Sequence, residues 1–293
     1  MITRPFGATG LSVSALGLGA GPLGDPHVSE SEAARLLDAA LDLGITLLDT
    51  ARSYGESEAR IGRALRGRRS RAVLSTKVGY GIAGVPDWTA EAARRGIDDA
   101  LARLATDHLD IVHLHSCPEP VLRAGDVTGA LADAVTAGKV RVPAYSGENE
   151  ALDAAVASGA FGSIQLSMNP WDQGSIDRVL WRAKDRGMGA IAKRPLANAF
   201  WIHPEQSSRP DIADYQHRAR ALALPDFGLP LESLSLRFAV FTWGIDAAIA
   251  GTTRPAHLES LARFVSDGPL PPDIIASIRA AWRSRASSYP GLV

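Results

Sequence analysis

The sequence predicts an α/β protein, a (β/α)8 TIM barrel in which residues 1–293 form a single domain. Eight short strand-like runs lie along the chain, and most are apolar almost throughout, which is typical of parallel strands covered on both faces. Stretches with the apolar spacing of amphipathic helices lie between these runs. No change of composition divides the chain. Eight strand–helix pairs without a break favour one barrel over two smaller domains.

Each predicted element follows from a local pattern. The strands are expected at 14–19, 45–49, 72–77, 109–115, 140–145, 162–166, 188–192 and 246–250. The helices are expected at about 30–43, 56–67, 89–104, 127–137, 149–158, 175–186, 231–242 and 255–265. Ser29 is the expected N-cap of the first helix and Gly44 its end, while Gly138 and Gly187 close two others. Pro143 fits poorly inside its strand because proline lacks a backbone donor.

Two segments fall outside the repeat. Residues 2–13 predict a small hairpin before the first barrel strand, and 197–230 predict a long loop after the seventh. The loop is rich in proline and aromatic residues, so we expect a wall or lid on the carboxyl face, with a disordered insertion as the alternative. An apolar or flat ligand, or a sugar, would suit the aromatic residues expected to line a substrate site, which are Trp88, Trp171, Phe200 and Trp201.

The composition argues against several kinds of partner. A net charge of −1 without a basic block is unlike a nucleic-acid-binding surface. No apolar stretch reaches the roughly 18 residues that span a membrane, and the N-terminus lacks the apolar core of a signal peptide. One cysteine, Cys117, allows no internal disulfide, and no histidine or carboxylate cluster has metal-ligand spacing. We therefore expect a cytoplasmic protein that acts on a small molecule, with its oligomeric state open.

A glycine pattern near the N-terminus suggests a different fold. Gly19, Gly21 and Gly24 spell G-x-G-x-x-G directly after the first predicted strand. Asp49 ends the second strand, where a Rossmann domain has its ribose-binding acid. In that fingerprint, however, the last glycine opens the helix, and here Pro26 intervenes. Eight strand–helix units also exceed the six of a Rossmann sheet, so the barrel prediction is preferred.

Four polar residues end or follow three consecutive predicted strands: Asp49, Tyr54, Lys77 and His115. Because the carboxyl ends of parallel barrel strands meet at one face, we expect these side chains to share a pocket. His113 is a rival imidazole, since strand alternation puts both histidines on the same side. We prefer His115 because it lies closer to the end of the strand.

This set of groups suits the reduction of a carbonyl group by hydride transfer. Negative charge builds on the carbonyl oxygen, so a positioned proton donor lowers the barrier. Tyr54 keeps its proton at neutral pH, and a lysine cation beside it would stabilise the phenolate. An ion pair between Asp49 and Lys77 would hold that cation, and a neutral His115 would orient the carbonyl. Cys117 projects to the same side as His115 without facing it, which favours a small packing residue over a nucleophile.

The segments that carry these residues resemble the motifs of the aldo-keto reductase family. They are DTARSYGESE, STK and LDIVHLH, with GATGLSVSALGLGAGPLG, GKVR at 138–141, Gln165 with Asn169, and AIAGTTRPAHLESL at 248–261. The resemblance covers nearly the whole chain. It implies a (β/α)8 barrel that uses NADPH, with NADH as the alternative. It also implies Tyr54 as the general acid, Asp49 and Lys77 as its supports, and His115 as the residue that orients the substrate carbonyl.

The resemblance implies a set of cofactor contacts with some departures from the family pattern. Family members hold the nicotinamide amide with a Ser-Asn pair and a Gln; Ser146 and Gln165 match, but Gly147 replaces the asparagine. Lys193 stands where an aromatic ring often stacks on the nicotinamide, and a cation there would instead approach the pyrophosphate. Arg254 is the expected contact of the 2′-phosphate. The full set is Gly19, Asp49, Ser146, Gln165, Lys193, Arg194, Pro195, Leu196, Gly251, Thr252, Thr253, Arg254 and His257.

Three functions are compatible with the sequence. The preferred one is an NAD(P)H-dependent oxidoreductase that reduces an aldehyde or ketone to an alcohol, or runs the reverse reaction. A non-catalytic, cofactor-sensing or regulatory barrel of the same family is the alternative. A metal-free hydrolase or lyase would need no nicotinamide.

Overall fold

Eight parallel strands form a closed barrel in chain order, with the last strand paired to the first. The computed structural model describes residues 1–203, 207–285 and 289–292. A separate antiparallel hairpin precedes the barrel, so the predicted fold class is confirmed. The hairpin strands are β1 (Thr3–Pro5) and β2 (Ser12–Ser14), and the barrel strands are β3 (Leu16–Gly19), β4 (Leu47–Asp49), β5 (Val73–Val78), β6 (Leu109–His115), β7 (Val140–Ser146), β8 (Ser163–Ser167), β9 (Gly189–Lys193) and β10 (Ala247–Ala250).

Helices surround the barrel and match the eight predicted ones closely. Three further α-helices among the described residues were not predicted, at Glu119–Ala124, Pro210–Leu222 and Pro272–Arg285. The second of these lies in the segment 197–230 that was expected to be a loop, of which 204–206 lie outside the described residues. The helices are α1 (Glu30–Asp42), α2 (Ser57–Ala64), α3 (Ala90–Leu104), α4 (Glu119–Ala124), α5 (Asp126–Thr136), α6 (Asn149–Ser158), α7 (Trp181–Asp185, preceded by a π-helical turn at Ile176–Leu180), α8 (Pro210–Leu222), α9 (Leu231–Phe241), α10 (Pro255–Ser266) and α11 (Pro272–Arg285).

The first helix shows how local sequence sets the ends of these elements. Ser29 accepts a hydrogen bond from the backbone of Glu32, whose side chain accepts one from the Ser29 backbone, which completes a capping box. Gly44 follows the helix with φ +76°, a left-handed conformation that glycine adopts at low cost. Helix α1 therefore begins and ends where the sequence predicts.

Pro143 lies inside β7 without breaking the barrel. Its carbonyl accepts a hydrogen bond from the backbone of Gly162 at 2.8 Å, so this edge of Pro143 faces the approach to β8. The nitrogen and carbonyl of one strand residue point to the same side. The Pro143 nitrogen, which carries no hydrogen, therefore points to the segment that precedes Ser163, the first residue of β8. The proline removes no bond from the ladder between the two strands.

The hairpin closes the amino-terminal end of the barrel. Phe6, Leu11 and Val13 are buried together with inward-facing barrel residues such as Ile111. A β-carbon on Gly189, the first residue of β9, would lie 2.6 Å from the Phe6 ring. A larger, helix-facing cluster of apolar side chains packs the outer side of the strands. With the hairpin packed against one end of the barrel, the residues at the carboxyl ends of the strands line a cavity at the other end.

Candidate active site

A cavity of about 320 Å³ opens at the carboxyl ends of the barrel strands. It brings together the four residues that the sequence predicts as a catalytic set. A larger hollow of about 800 Å³ lies at the other end, where Arg69 and Arg141 pair with Asp110. The carboxyl-end cavity is lined by Gly19, Gly21, Asp49, Tyr54, Lys77, His115, Ser116, Ser146, Gln165, Lys193, Arg194 and Ile249.

Asp49 and Lys77 form a buried ion pair at the base of this cavity. The Nζ atom of Lys77 lies 2.5 Å from Oδ2 of Asp49, and each side chain is 2% exposed. Lys77 also donates to the carbonyl of Thr50 at 2.8 Å. The other carboxylate oxygen of Asp49 accepts from Ser75 at 2.7 Å and from Gln165 at 2.9 Å. Every oxygen of the buried carboxylate therefore has a donor, which fixes its orientation.

The ion pair shifts the pKa of both partners toward their charged forms. Burial has the largest effect and raises the pKa of Asp49, but Lys77 and the hydrogen-bond donors outweigh it, so the net pKa is lowered. Burial likewise lowers the pKa of Lys77, while Asp49 and then Tyr54 raise it above its ordinary value. Lys77 is therefore a permanent cation under the cavity at neutral pH.

Tyr54 lies directly over this cation. The Nζ atom of Lys77 is 4.9 Å from the centroid of the Tyr54 ring. The glycine pattern near the N-terminus holds the turn that carries Tyr54. A β-carbon on Gly24 would lie 1.9 Å from the Tyr54 carbonyl, and one on Gly21 would lie 3.7 Å from its ring. Gly24 therefore lets two loops pack closely, whereas a β-carbon at Gly21 would only be in ordinary contact with the ring.

The structure separates the two candidate histidines. His113 is completely buried in the barrel, and its Nε2 atom lies 3.1 Å from the Ser75 hydroxyl. His115 lines the cavity, with its ring centroid 6.1 Å from that of Tyr54. Burial and then Lys77 lower the pKa of His115 to about 3. Burial lowers the pKa of His113 to about 4, although Asp49 opposes this. Both imidazoles are neutral at pH 7.

Cys117 is a packing residue. It is buried, and burial raises the pKa of its thiol to about 12, so it stays protonated. Its carbonyl accepts a hydrogen bond from the Tyr145 hydroxyl at 3.0 Å. The reactivity of a thiolate is therefore absent at this position.

Ser146 and Gln165 meet on the wall of the cavity. The Ser146 hydroxyl donates to the Gln165 amide oxygen at 2.9 Å, and the amide nitrogen donates to Asp49. Gly147 follows at a place where a side chain has no room. A β-carbon there would lie 2.5 Å from the Tyr145 phenolic oxygen. The ring of Tyr145 therefore takes the space that a larger residue at 147 would need.

Lys193 and Arg194 place two further basic side chains at the cavity. The Nζ atom of Lys193 lies 3.2 Å from Oε1 of Glu148, and the two side chains are 15% and 1% exposed. Burial is the largest effect and lowers the pKa of Lys193, while Glu148 opposes it. Arg194 adopts φ +53° and donates to the Ser167 hydroxyl at 3.1 Å and to the carbonyl of Leu292. The C-terminal segment thus positions Arg194.

The remaining predicted cofactor residues lie around the loop that follows β10. Thr252 accepts from the backbone of Arg254 at 3.1 Å, and its hydroxyl lies 3.0 Å from Nδ1 of His257. Arg254 is exposed and precedes the first turn of α10. A β-carbon on Gly251 would lie 3.3 Å from the Gly19 carbonyl, so these two glycines face each other. Thr253 is exposed in the same loop, whereas Pro195 is buried and Leu196 packs against the helix-facing core.

Several residues at the site carry no clear signal in the sequence. Tyr80 lies 2.8 Å from His115, Glu148 pairs with Lys193, and Ser116 lines the cavity with φ +64°. Two of the aromatic residues expected to line a substrate site, Trp171 and Phe200, are instead buried against each other. Charge and strand-end position indicate the ion pair, whereas partners that only the fold brings together leave no local pattern in the sequence.

Two kinds of feature are absent from the described part of the chain. Within residues 1–203, 207–285 and 289–292, no group of three or more His, Cys, Asp or Glu side chains could hold a metal ion. None of the helices in these ranges has the length and apolarity to cross a membrane.

Comparison with known proteins gives consistent matches. The model of the Aldo/keto reductase family matches residues 15–283. "Aldo-keto reductase YhdN" of Bacillus subtilis is 27% identical over 87% of this chain and 86% of that protein. A "6-dehydroglucose reductase" of Novosphingobium aromaticivorans is 31% identical over 72% and 74%. An "L-galactose dehydrogenase" of Arabidopsis thaliana is 28% identical over 90% and 88%.

Solved structures agree with these matches. A putative aldo-keto reductase from Pseudomonas aeruginosa has a TM-score of 0.74 and 29% identity, covering 91% of this chain and 95% of that one. An aldo-keto reductase from Bacillus halodurans, solved in its holo form, has a TM-score of 0.85 at 23% identity, covering 98% and 97%. The second likeness concerns the fold alone.

Proposed function

Because this chain belongs to the aldo/keto reductase family, whose curated relatives are oxidoreductases, we propose that it reduces an aldehyde or ketone to an alcohol with NADPH, or runs the reverse reaction. The observation that carries the proposal is the buried Asp49–Lys77 ion pair beneath Tyr54, in a cavity that a neutral His115 also lines. This arrangement offers a proton donor and a neutral hydrogen-bond donor at one place.

Tyr54 is the proposed proton donor. As a carbonyl oxygen gains negative charge, transfer of the phenolic proton leaves a phenolate on Tyr54. The cation of Lys77, 4.9 Å from the ring centroid, stabilises that phenolate. Asp49 keeps the ammonium in place with its 2.5 Å contact. Because Asp49 and Lys77 are both buried, solvent screens the attraction between them little.

His115 is the proposed orienting residue. Its pKa of about 3 makes the ring neutral throughout the physiological range, so it can donate one hydrogen bond to a carbonyl oxygen without competing as an acid. The ring lines the cavity beside Tyr54. Tyr54 and His115 would then contact the same substrate oxygen.

The residues around the cavity fit a nicotinamide dinucleotide. A carboxamide needs a hydrogen-bond donor and an acceptor, and the buried Ser146 hydroxyl and Gln165 amide offer both on the cavity wall. The close approach of Gly19 and Gly251 leaves the adjoining backbone free of side chains. When bound, the cofactor supplies the hydride that reduces the carbonyl carbon.

The charged residues favour a phosphorylated cofactor. Lys193 lies in the cavity, and we assign it with Arg194 to the pyrophosphate. The exposed Arg254 stands at the N-terminus of α10, where anions are favoured, and we assign it to the 2′-phosphate of NADPH. Ser260-Leu261 stand where the family often has a Glu-Asn pair that contacts adenine.

A Tyr54→Phe variant tests the proposal. We expect the variant to bind NADPH with wild-type affinity, measured by nicotinamide fluorescence, while carbonyl reduction falls at least a hundredfold. The assay uses a panel of aldehydes and ketones. This panel should include sugar-derived carbonyls, because two relatives are named for dehydroglucose and galactose. Turnover by the variant at near the wild-type rate would show that the assigned acid is wrong.

The same assay separates the alternatives. A cofactor-sensing barrel would bind NADPH but reduce none of the carbonyl substrates in the panel. Failure of the wild-type protein to bind NADPH or NADH would favour a hydrolase or lyase instead.

A further inference from the structure

Tyr80 is tied to His115 by two contacts. The Tyr80 hydroxyl oxygen lies 2.8 Å from Nδ1 of His115. The two rings are also stacked, with centroids 5.5 Å apart and an interplanar angle of 26°. Tyr80 follows the end of β5, three residues after Lys77, and is half-buried. The nitrogen that Tyr80 contacts is the one that would point away from a substrate held at Nε2.

Trp88 holds Tyr80 in this position. The two ring centroids are 5.6 Å apart. The Trp88 backbone donates to the carbonyl of Gly79 at 2.7 Å, and Trp88 itself adopts φ +61°. Gly79 has φ +128°, and a β-carbon there would lie 2.3 Å from the Trp88 ring. A strained tryptophan and an obligatory glycine thus fix the wall against which Tyr80 packs.

The ring of His115 carries a single proton at neutral pH, so its two nitrogens have different roles. The partner of Nδ1 decides which nitrogen keeps the proton. If Nδ1 accepts a hydrogen bond, the proton is on Nε2, and the ring can donate to a carbonyl oxygen. If Nδ1 donates, Nε2 has only a lone pair, which repels a carbonyl oxygen.

The Tyr80 proton has two acceptors within reach. The Ser53 hydroxyl lies 3.2 Å away, compared with 2.8 Å for Nδ1 of His115. An imidazole nitrogen is a much stronger base than a hydroxyl, and Ser53 is exposed, so its hydroxyl does not depend on Tyr80 for a hydrogen bond. Both the distance and the basicity favour donation from Tyr80 to His115.

We propose that Tyr80 is a positioning residue that fixes His115 as the Nε2–H tautomer, so that its free N–H faces the cavity. The stacking sets the plane of the imidazole, and the hydrogen bond sets its proton. The catalytic benefit rests on the proposed carbonyl reduction. The position of the proton is a property of the resting protein and does not depend on turnover.

Nitrogen-15 NMR of the imidazole rings tests the proposal directly. The resonance of His115 is assigned by its loss in a His115→Gln variant. In the wild-type protein at pH 7, we expect a protonated Nε2 and an unprotonated Nδ1. A protonated Nδ1 in the wild type would overturn the proposal, whether or not any variant folds.

Two variants sharpen the test. Tyr80→Phe keeps the stacked ring and removes the hydroxyl, so we expect the two tautomers to mix and the reduction kcat to fall between about twofold and tenfold, with NADPH affinity unchanged. Ser53→Ala is the matched control, because it removes the other neighbour of the Tyr80 hydroxyl; its tautomer should match the wild type. An unchanged tautomer in Tyr80→Phe would also overturn the proposal.

These outcomes separate this inference from the proposed function. If no carbonyl is reduced but the His115 proton moves in Tyr80→Phe, the proposed function fails and the positioning role stands. If the wild type reduces carbonyls and Tyr80→Phe changes neither kcat nor tautomer, the function stands and the positioning role fails.

Discussion

Gly147 lies so close to Tyr145 that a β-carbon at this position would be 2.5 Å from the phenolic oxygen. The Tyr145 ring cannot easily move away, because it packs against Phe161 and its hydroxyl donates to the carbonyl of Cys117. The glycine that replaces the family's asparagine is therefore a consequence of packing on this side of the barrel. A larger residue at 147 requires a smaller one at 145.

Gly147→Ala should lower the free energy of unfolding by about 1 to 3 kcal/mol, because the new methyl group overpacks the Tyr145 ring. Chemical denaturation measures the change. Gly129→Ala is the control, since Gly129 is exposed in α5 and a β-carbon there meets nothing within 4 Å. The control should be neutral or gain up to about 1 kcal/mol. Equal effects of both substitutions would contradict this account.

Lys77→Met should lower the free energy of unfolding by about 3 to 5 kcal/mol, because it leaves the Asp49 carboxylate buried without its cation. The double variant Asp49→Asn, Lys77→Met removes both charges and should recover much of that loss. Denaturation midpoints measure both, and carbonyl reduction should be lost in both. A double variant no more stable than Lys77→Met would show that the burial of unpaired charge is not the cause.

Stability should fall on acidification because His115 stays neutral in the folded protein. Below pH 6.5 the unfolded chain binds a proton at this histidine that the folded protein, with its pKa of about 3, does not bind. Unfolding therefore becomes easier as pH falls, and His115 should contribute a loss of about 2 kcal/mol between pH 7 and pH 5. His115→Gln should remove that part of the loss in denaturation series at both pH values. His27→Gln, at an exposed loop position, should leave the loss unchanged.

Lys193→Met should weaken NADPH binding about tenfold at low salt, because it removes a cation assigned to the pyrophosphate. The difference from wild type should narrow as ionic strength rises. Fluorescence titration measures it, with Lys139→Met as the control, since the Lys139 side chain is 43% exposed and pairs with Asp98. If Lys193→Met binds NADPH as the wild type does, the ion pair with Glu148 is structural alone.

Arg254→Ala should weaken NADPH binding about tenfold or more and leave NADH binding unchanged, because only NADPH carries the 2′-phosphate. The ratio of the two dissociation constants measures the preference. Equal losses for both cofactors would place Arg254 at a phosphate that they share.

Strand periodicity and strand-end position predict much of this site. Asp49 and Lys77 were found because barrel strands end at one face, and the same rule favoured His115 over His113. Tyr80 and Glu148 were not found, because their partners, His115 and Lys193, are distant in sequence and the contacts depend on tertiary packing. Trp171 was expected at the cavity but is buried against Phe200. The exposure of a residue depends on tertiary packing and cannot be predicted from its type.

The segment after β9 shows a second limit of local pattern. Its prolines and aromatic residues predicted a loop, yet Pro210 stands at the first turn of helix α8, where proline costs no hydrogen bond. The buried face of α8 includes Tyr215, which packs with Trp171 and Phe200. The helix is therefore stabilised by contacts that a sequence window does not contain.

The two ends of the barrel differ in chemistry, and they meet at Ile249, which belongs to the apolar cluster around Phe6 and also lines the cavity. The hairpin covers the floor, the amino-terminal end, with apolar side chains, whereas the proposed chemistry lies at the rim, the carboxyl ends of the strands. Thermostability can therefore be sought by repacking floor residues other than Ile249. Substrate range can be sought at rim residues that lie outside the floor cluster.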